Sequence, residues 1–238
     1  MKPRVAVVTF PGSLDDADAM RAVALMGGEP VSAWHADGDL LDADAVVLPG
    51  GFSYGDYLRA GAIARFAPVM DAVSAFARAG GPVLGICNGF QILCEAGLLP
   101  GALIRNRSLT FLCRWIHVRT ENPSPLFAIS SGREVLQLPI KHGEGQFVAS
   151  PDDLDRIEGE GLVMLRYCAP DGTLEDRYNP NGSLHGIAGI RSPEGNVMGM
   201  MPHPEHAVDP DLGPTGGHQI FQWLFSSAGV AMPAATGA

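Results

Sequence analysis

The stretch Pro82-Val83-Leu84-Gly85-Ile86-Cys87-Asn88-Gly89-Phe90-Gln91 joins a short apolar run to a helical pattern. Residues 83–86 are typical of a buried strand, and residues 90–96 are typical of the helix after it. Cys87 stands at the join, with glycine two residues before it and two after it, the spacing of a nucleophile elbow. Side chains at the flanking positions would collide in so sharp a turn. A helix N-terminus behind Cys87 favours the reactive thiolate.

A buried structural cysteine in a glycine-rich turn explains the same motif, because free cysteines are usually buried and inert. The interpretation of Cys87 as a nucleophile therefore depends on finding a base and an oxyanion site elsewhere in the chain. On the elbow alone, both interpretations stay open.

Composition and charge narrow the class of protein. The 238 residues include 26 acidic and 16 basic side chains, and the net charge of −10 disfavours nucleic-acid binding. No apolar run approaches the roughly 20 residues of a membrane span, and no signal-peptide pattern follows the N-terminus. The cysteines show neither CxxC pairing nor zinc spacing; they are Cys87, Cys94, Cys113 and Cys168. A reduced, cytoplasmic protein is expected.

The order of apolar runs and helical patterns predicts the fold class. Strands are expected at residues 4–10, 30–34, 45–48 and 83–86, with helices at about 13–26 and 67–79. This order favours a flavodoxin-like α/β fold, with an open, mostly parallel sheet and helices on both faces. Short runs after Gly97 predict antiparallel strands that continue the fold, so residues 1–238 are expected to form a single domain.

Three candidate functional segments follow predicted strands, where ligands bind in open α/β sheets: Gly50-Gly51, Cys87 and His203-Pro204-Glu205. Pro204 restricts His203 to an extended conformation, in which residues two apart point the same way. Glu205 is then placed to orient the His203 ring and stabilise its imidazolium, which gives a Cys-His-Glu arrangement. Taken singly, His203 also suits a structural histidine, and Glu205 a solvated carboxylate.

The glycine pair offers backbone N–H groups that no side chain blocks. Together with the N–H of Asn88, the residue after the elbow cysteine, Gly50-Gly51 is a candidate oxyanion hole. An ordinary turn after a strand is the alternative. The segment also lacks the lysine of a phosphate-binding loop.

Two further histidines, His206 and His218, raise the question of a metal site. The order His203-x-Glu205-His206 fits no standard zinc pattern, and adjacent side chains point apart. No metal is therefore expected in this chain.

With these residues assembled, the chain resembles the class I (triad-type) glutamine amidotransferases, and within them the glutaminase subunits of phosphoribosylformylglycinamidine synthase. The resemblance runs from Val5 to about Phe225. The elbow and the segment Met200-Met201-Pro202-His203-Pro204-Glu205 are shared by the wider class. More specific are Pro49-Gly50-Gly51-Phe52-Ser53-Tyr54-Gly55-Asp56, Arg105-Asn106-Arg107-Ser108 and Asn179-Pro180-Asn181-Gly182-Ser183.

The resemblance implies a class I amidotransferase fold and a reaction that hydrolyses glutamine to glutamate and ammonia. The ammonia would serve the ATP-dependent amination of formylglycinamide ribonucleotide in de novo purine biosynthesis. The implied catalytic residues are Cys87 as nucleophile, with His203 and Glu205 as its partners. The implied oxyanion hole consists of the N–H groups of Gly51 and Asn88, and the implied substrate-binding residues are Gln91 and Gly50.

The resemblance also implies partners: L-glutamine, a large synthetase subunit and a small accessory subunit. It implies no cofactor in this chain, with ATP and Mg bound by the synthetase. The polar groups of Tyr54, Asp56, Tyr57 and residues 179–183 suit a contact surface for such a partner. Two positions depart from the family's pattern, because many relatives carry Asn-Cys in place of Leu14-Asp15 and Arg in place of His206.

Two other functions stay open at this point. One is a glutaminase subunit that serves a different amination pathway. The other is a non-catalytic relative, either chaperone-like or using Cys87 as a redox sensor, since PfpI-type proteins also carry an elbow cysteine. The second alternative leaves His203-Pro204-Glu205 without a role.

Overall fold

The computed structural model describes residues 2–121 and 133–229, in which the chain forms eleven strands and five helices. They are β1 (Arg4–Thr9), α1 (Asp16–Leu25), β2 (Glu29–Trp34), β3 (Ala45–Leu48), α2 (Pro68–Arg78), β4 (Val83–Ile86), α3 (Asn88–Glu95), β5 (Ala102–Ile104), β6 (Leu112–Thr120), β7 (Val135–His142), β8 (Gln146–Val148), α4 (Pro151–Gly159), β9 (Val163–Cys168), β10 (Ile187–Arg191), β11 (Val197–Met200) and α5 (His218–Ser227). None of these helices is long and apolar enough to cross a membrane. The turn expected around residues 122–123 and the tail beyond residue 229 lie outside the described part.

Nine strands form one sheet in the order β2-β1-β3-β4-β11-β10-β9-β6-β7. The first five are mutually parallel, as the strand order of the sequence predicts. Every residue of β3 and β4 is buried, which is why these strands appear in the sequence as continuous apolar runs. Because β2 and β3 flank β1 on opposite sides, the carboxyl ends of β1 and β3 lie at the switch point where such sheets bind ligands.

The remaining four strands of the sheet are antiparallel. The expectation that the second half of the chain continues the fold with antiparallel strands is confirmed. Three parts of this half were not predicted: β10, the small β5–β8 pair and α4. The helix α4 has a clear start signal, since Ser150 accepts a hydrogen bond from the Asp153 N–H and Pro151 follows it.

The start of α1 differs in one respect from the sequence prediction. Asp15 occupies the cap position, but its side chain makes no capping hydrogen bond. Ser13 accepts a hydrogen bond from the backbone N–H of Phe10 instead of capping the helix. The buried carboxylate of Asp15 turns towards the carboxyl edge of the sheet, where the candidate site lies.

Candidate active site

Cys87 lies in the tight turn between β4 and α3. Its φ of 50° and ψ of −103° place a non-glycine residue in a strained conformation, as expected at a nucleophile elbow. A Cβ at Gly89 would lie 2.0 Å from the carbonyl oxygen of Leu48, and one at Gly85 would lie 2.7 Å from that of Gly89. Glycine is therefore required on both sides of the elbow, because the start of α3 packs directly on the backbone of β3.

His203 lies at the end of β11, next to β4 in the sheet, and its side chain is completely buried. Its Nδ1 is 2.6 Å from Oε1 of Glu205, so the structure brings these two predicted residues together. Because Nδ1 faces the carboxylate, the free ring nitrogen is Nε2, which has no hydrogen-bond partner among the described residues. An unpartnered buried nitrogen at this edge is suited to proton transfer.

The charges around His203 favour its protonated form. Burial alone would lower the pKa of His203, but the Glu205 carboxylate and the nearby Cys87 thiolate outweigh it and raise the pKa to about 10. The side chains of Cys87 and His203 are close enough for this effect, although within the described structure they form no hydrogen bond of standard geometry with each other. The Cys87 thiol instead faces the carbonyl oxygen of Lys141 at 3.8 Å. The arrangement therefore favours the imidazolium form of His203 beside the Cys87 sulfur.

A second carboxylate, which sequence reasoning did not assign to the site, lies beside this pair. Oδ2 of Asp15 is 3.6 Å from Nδ1 of His203, and its Oδ1 contacts Nζ of Lys141 and lies 3.3 Å from Nε2 of His206. Burial would raise the pKa of Asp15, but hydrogen bonds from His206 and Lys141 and the charge of His203 hold it well below its usual range.

The candidate oxyanion donors lie at the ends of β3 and β4. The N–H groups of Gly51 and Asn88 make no backbone hydrogen bonds within the described residues, so both are free to bind a ligand. Gly51 has a φ of 148°, and a Cβ there would lie 2.6 Å from the Gly12 carbonyl oxygen. A Cβ at Gly50 would lie 2.3 Å from Oδ2 of Asp15. Both glycines are thus sterically required.

Several of these groups line one cavity of about 560 Å³, whereas Asn88, Gly50 and Glu205 are not among its lining residues. Its lining includes Cys87, His203, Gly51 and Gln91 from the predicted set. Residues 141–144, at the end of β7 and just after it, also line the cavity, and together with Gly145 we call them the far wall. A cavity of this size suits a small ligand.

Gln91 lies between the elbow and the far wall. Its Nε2 donates a 2.6 Å hydrogen bond to the carbonyl oxygen of Glu144, and its Oε1 accepts one from the Asn88 side chain at 2.9 Å. One amide hydrogen and one lone pair remain for a ligand. Its assignment as a substrate-binding residue stays a prediction.

Asn106 holds the far wall in place. Its buried amide donates to the carbonyl oxygens of Thr110 and His142, each at 2.9 Å, and its Oδ1 accepts from the Gly145 N–H at 3.0 Å. Nδ1 of His142 is also 3.0 Å from this oxygen, and since a carbonyl oxygen only accepts, Nδ1 carries the proton. Burial and the charge of His203 lower the pKa of His142 to about 3.

The turn at residues 179–183 also holds the far wall in place. Its polar side chains are buried and do not form a contact surface, which corrects one sequence-based expectation. The Asn181 side chain is fully buried and donates to the Gly145 carbonyl oxygen at 2.7 Å. Ser183 accepts a hydrogen bond from the Phe147 N–H at 3.0 Å. Buried polar groups need hydrogen-bond partners, and these groups find theirs within the molecule.

The donor atoms of Asp15, His203, Glu205 and His206 lie within 4.8 Å of one another, close enough for a metal ion. Their spacing is also explained by the hydrogen bonds and ion pairs already described, including the Lys141 ammonium that occupies Asp15. His218 lies apart from this group and is 2.7 Å from the carbonyl oxygen of Val208. The expectation that the chain holds no metal stays a prediction.

Comparisons with known proteins agree with this geometry. Residues 2–224 match the family described as CobB/CobQ-like glutamine amidotransferase domain. The phosphoribosylformylglycinamidine synthase subunit PurQ of Rhodococcus jostii is 58% identical over 217 residues, 90% of this chain and 92% of that protein. PurQ of Rubrobacter xylanophilus is 57% identical over 228 residues, 95% of this chain and 100% of that protein.

A solved structure described as PurLQS from Thermotoga maritima is similar with a TM-score of 0.82 at 40% identity, covering 95% of this chain and 99% of that one. The predicted fold class is thereby confirmed, as is the resemblance on which the expected function rests. The chain belongs to the CobB/CobQ-like glutamine amidotransferase family and, within it, to the PurQ subunits of phosphoribosylformylglycinamidine synthase.

Proposed function

We propose that this chain hydrolyses L-glutamine to glutamate and ammonia with Cys87 as nucleophile, His203 as acid and base, and Glu205 as the carboxylate that orients His203. The observation that carries the proposal is the convergence of three features at one edge of the sheet, beside the cavity. They are a strained elbow thiol, a buried base held by its carboxylate at 2.6 Å, and two free backbone N–H groups. Acyl transfer through a thioester needs each of them.

In the proposed reaction, the Cys87 thiolate attacks the side-chain amide carbon of glutamine. The N–H groups of Gly51 and Asn88 stabilise the oxyanion, and Nε2 of His203 gives its proton to the leaving nitrogen. Ammonia departs and a glutamyl thioester remains. Neutral His203 then takes a proton from water, the hydroxide attacks the thioester, and the Cys87 thiolate leaves as glutamate forms.

Charged groups on the cavity lining support an amino acid as the substrate. Arg105 is placed for an α-carboxylate, and Asp56 and Glu144, the latter 3.5 Å from Nε of Arg105, for an α-ammonium group. Burial and the charge of Glu144 raise the pKa of Asp56 to about 6, against a hydrogen bond from Asn88 that lowers it. An ammonium ion between the two carboxylates would relieve their repulsion. Gln91 and Gly50 complete the proposed binding residues.

We place this activity in a complex that uses the ammonia at once. Ammonia is mostly protonated at neutral pH and is then no nucleophile, so an uncoupled glutaminase would waste glutamine. The proposed partner is a PurL-type synthetase that binds ATP and Mg and aminates formylglycinamide ribonucleotide, together with a small accessory subunit. Exposed apolar side chains rim the cavity and suit a covering partner; they are Leu14, Phe52, Leu109 and Phe111.

The test is steady-state hydrolysis of glutamine by the full chain, alone and with the synthetase, the accessory subunit, a nucleotide and the ribonucleotide substrate. We expect slow hydrolysis by the chain alone and a clear rise in the loaded complex. Full activity that no partner changes would refute the coupling but leave the triad standing.

A redox sensor is the competing function, and glutamine distinguishes it. Under mild peroxide, glutamine protects Cys87 from oxidation if the cavity binds glutamine, and has no effect in a sensor. Mass spectrometry of the Cys87 peptide gives the result. Stimulation of a different synthetase would instead favour a glutaminase of another pathway.

A further inference from the structure

Asp15 is a buried carboxylate whose position the triad does not explain. Only 2% of the residue is exposed, and burial of a charged carboxylate is unfavourable unless it is well paired. At a cap position, an aspartate normally binds the helix N–H groups. This side chain contacts Lys141, His206 and His203 instead.

The backbone of Asp15 is tied to the oxyanion loop. Its N–H donates to the Gly50 carbonyl oxygen at 3.2 Å, and the N–H of Leu14 donates to the same oxygen at 3.1 Å. A Cβ at Gly50 would be 2.3 Å from Oδ2 of Asp15 and 2.7 Å from Cε1 of His203. The Asp15 carboxylate is thus packed between the proposed base and the loop that carries the Gly51 N–H.

We propose that Asp15 is a positioning residue that holds the His203 ring in register with the Gly51 N–H and favours the imidazolium form of His203. This inference rests on the proposed function of His203 as acid and base. Glu205 fixes the tautomer through the short contact with Nδ1, and Asp15 adds a second negative charge 3.6 Å from the same nitrogen.

The charged groups around His203 fix the sign of the expected effects. Negative charge faces it from Glu205, Asp15 and the Cys87 thiolate, and positive charge comes from Lys141 and from His206 when that is protonated. His142 is held neutral nearby. Removing the Asp15 charge lowers the pKa of His203, whereas removing the Lys141 charge frees Asp15 and raises it.

The test follows the His203 imidazole by NMR titration of the full chain labelled with ¹⁵N-histidine, with the His203→Gln spectrum to assign its resonance. Asp15→Asn keeps the side-chain shape and removes the charge, and Lys141→Met removes the opposite charge. Asp18→Asn is the matched control, since Asp18 lies three residues further on in the first turn of α1 and makes no contact with the site among the described residues. We expect the pKa of His203 to fall by about one unit in Asp15→Asn, to rise in Lys141→Met and to stay unchanged in Asp18→Asn.

Shifts of opposite sign would support the proposal, because a purely structural disturbance has no reason to change sign. No shift, or shifts of equal sign, in the two variants would overturn it. If Asp15→Asn does not fold, Lys141→Met decides, since an unchanged or lowered His203 pKa there overturns the proposal. The titration does not require turnover, so its failure is distinct from a failure of the glutaminase proposal, which Cys87→Ala tests.

Turnover gives a second readout. Because a positioning residue acts on the base and not on substrate binding, we expect Asp15→Asn to lower kcat by about tenfold with little change in KM. A rise in KM with unchanged kcat would assign Asp15 to substrate binding instead.

Discussion

The parallel and antiparallel halves of the sheet supply different kinds of groups to one cavity. The parallel half supplies the reacting groups: the elbow thiol directly after β4, and the His203–Glu205 pair a few residues after β11. The antiparallel half supplies the far wall, and its position depends on amide side chains from two other loops, Asn106 and Asn181. One half is positioned by strand ends and glycine turns, and the other by buried hydrogen bonds.

Because of this difference, we expect mutations in the two halves to have different consequences. Changes in the parallel half remove a reacting group while β3 and β4, which are apolar and fully buried, keep the fold. Changes in the far wall remove hydrogen bonds that nothing else replaces, and they act on substrate binding and stability together. Four predictions test this division.

The largest effect is expected for the nucleophile. Cys87→Ala should abolish glutamine hydrolysis, because Cys87 alone among the cysteines of the described residues lies at the elbow beside His203. Cys113→Ala is the matched control, since Cys113 lines the same cavity but lies on β6. A diazoketone analogue of glutamine should label Cys87 alone. Substantial hydrolysis by Cys87→Ala would contradict the assignment of Cys87 as the nucleophile.

Buried Cys94 and Cys168 serve as further controls for labelling. Burial raises the pKa of Cys168 to about 11 and raises that of Cys94 still further. Their thiols are therefore poor nucleophiles near neutral pH. Alanine at either position should leave most of the activity.

The next largest effect is expected for the base. His203→Ala should lower kcat by about 10² to 10⁴-fold, the range for a general acid–base group. Glu205→Gln should lower kcat by less, because it preserves the contact at Nδ1 of His203. The remaining loss comes from the wrong tautomer, which the amide favours. Steady-state kinetics on both variants checks the order. Near-normal turnover in His203→Ala would remove the triad from the mechanism.

The sequence predicted the parallel half well because parallel strands obey a simple rule. Their carboxyl ends share one edge of the sheet, so Gly50-Gly51, Cys87 and His203 were expected to converge before any contact was known. The local signals were equally strong, since the Gly-x-Cys-x-Gly spacing and the proline after His203 restrict the backbone directly.

The far wall was not predicted although its signal was present. The run Lys141-His142-Gly143-Glu144-Gly145 spans the end of β7, and site segments often lie at strand ends. Antiparallel strands end at both edges of a sheet, however, so no pattern in the sequence indicates that this end lies beside Cys87. The role of Asn106 depends on contacts with residues 36 and 39 positions away, which periodicity does not reveal. Asp15 was missed because its cap position supplied an adequate local explanation.

The third prediction concerns this wall. Asn106→Ala should raise KM for glutamine by about tenfold and lower the free energy of unfolding by roughly 2–4 kcal/mol, because buried donors and acceptors lose their partners. The neighbouring Arg107→Ala is the control, since its ion pair with Asp176 is largely exposed and contributes about 0–1 kcal/mol. Urea unfolding and steady-state kinetics give the two values. Equal losses in both variants would contradict the assigned role of Asn106.

The smallest effect concerns the pH dependence of stability, where the two halves are expected to act in opposite directions. The pKa of His142 in the far wall falls from 6.5 to about 3 on folding, so the unfolded chain binds the extra proton between these values. Its contribution to stability is lost as the pH falls below 6.5. The pKa of His203 rises from 6.5 to about 10, so its contribution is fully present below 6.5 and is lost as the pH rises towards 10.

Each histidine therefore controls one side of the stability curve, with a slope of at most about 1.4 kcal/mol per pH unit. His142→Asn, which keeps a donor near the position of Nδ1, should flatten the curve between pH 3 and 6.5 and leave the alkaline side unchanged. His203→Gln should flatten the curve between pH 6.5 and 10 and leave most of the acid side in place, because burial, more than the charge of His203, lowers the pKa of His142. Urea unfolding across this range measures both slopes. Complete loss of both slopes in a single variant would show that the two histidines titrate as one unit, and this result would contradict the predicted division between the two halves of the sheet.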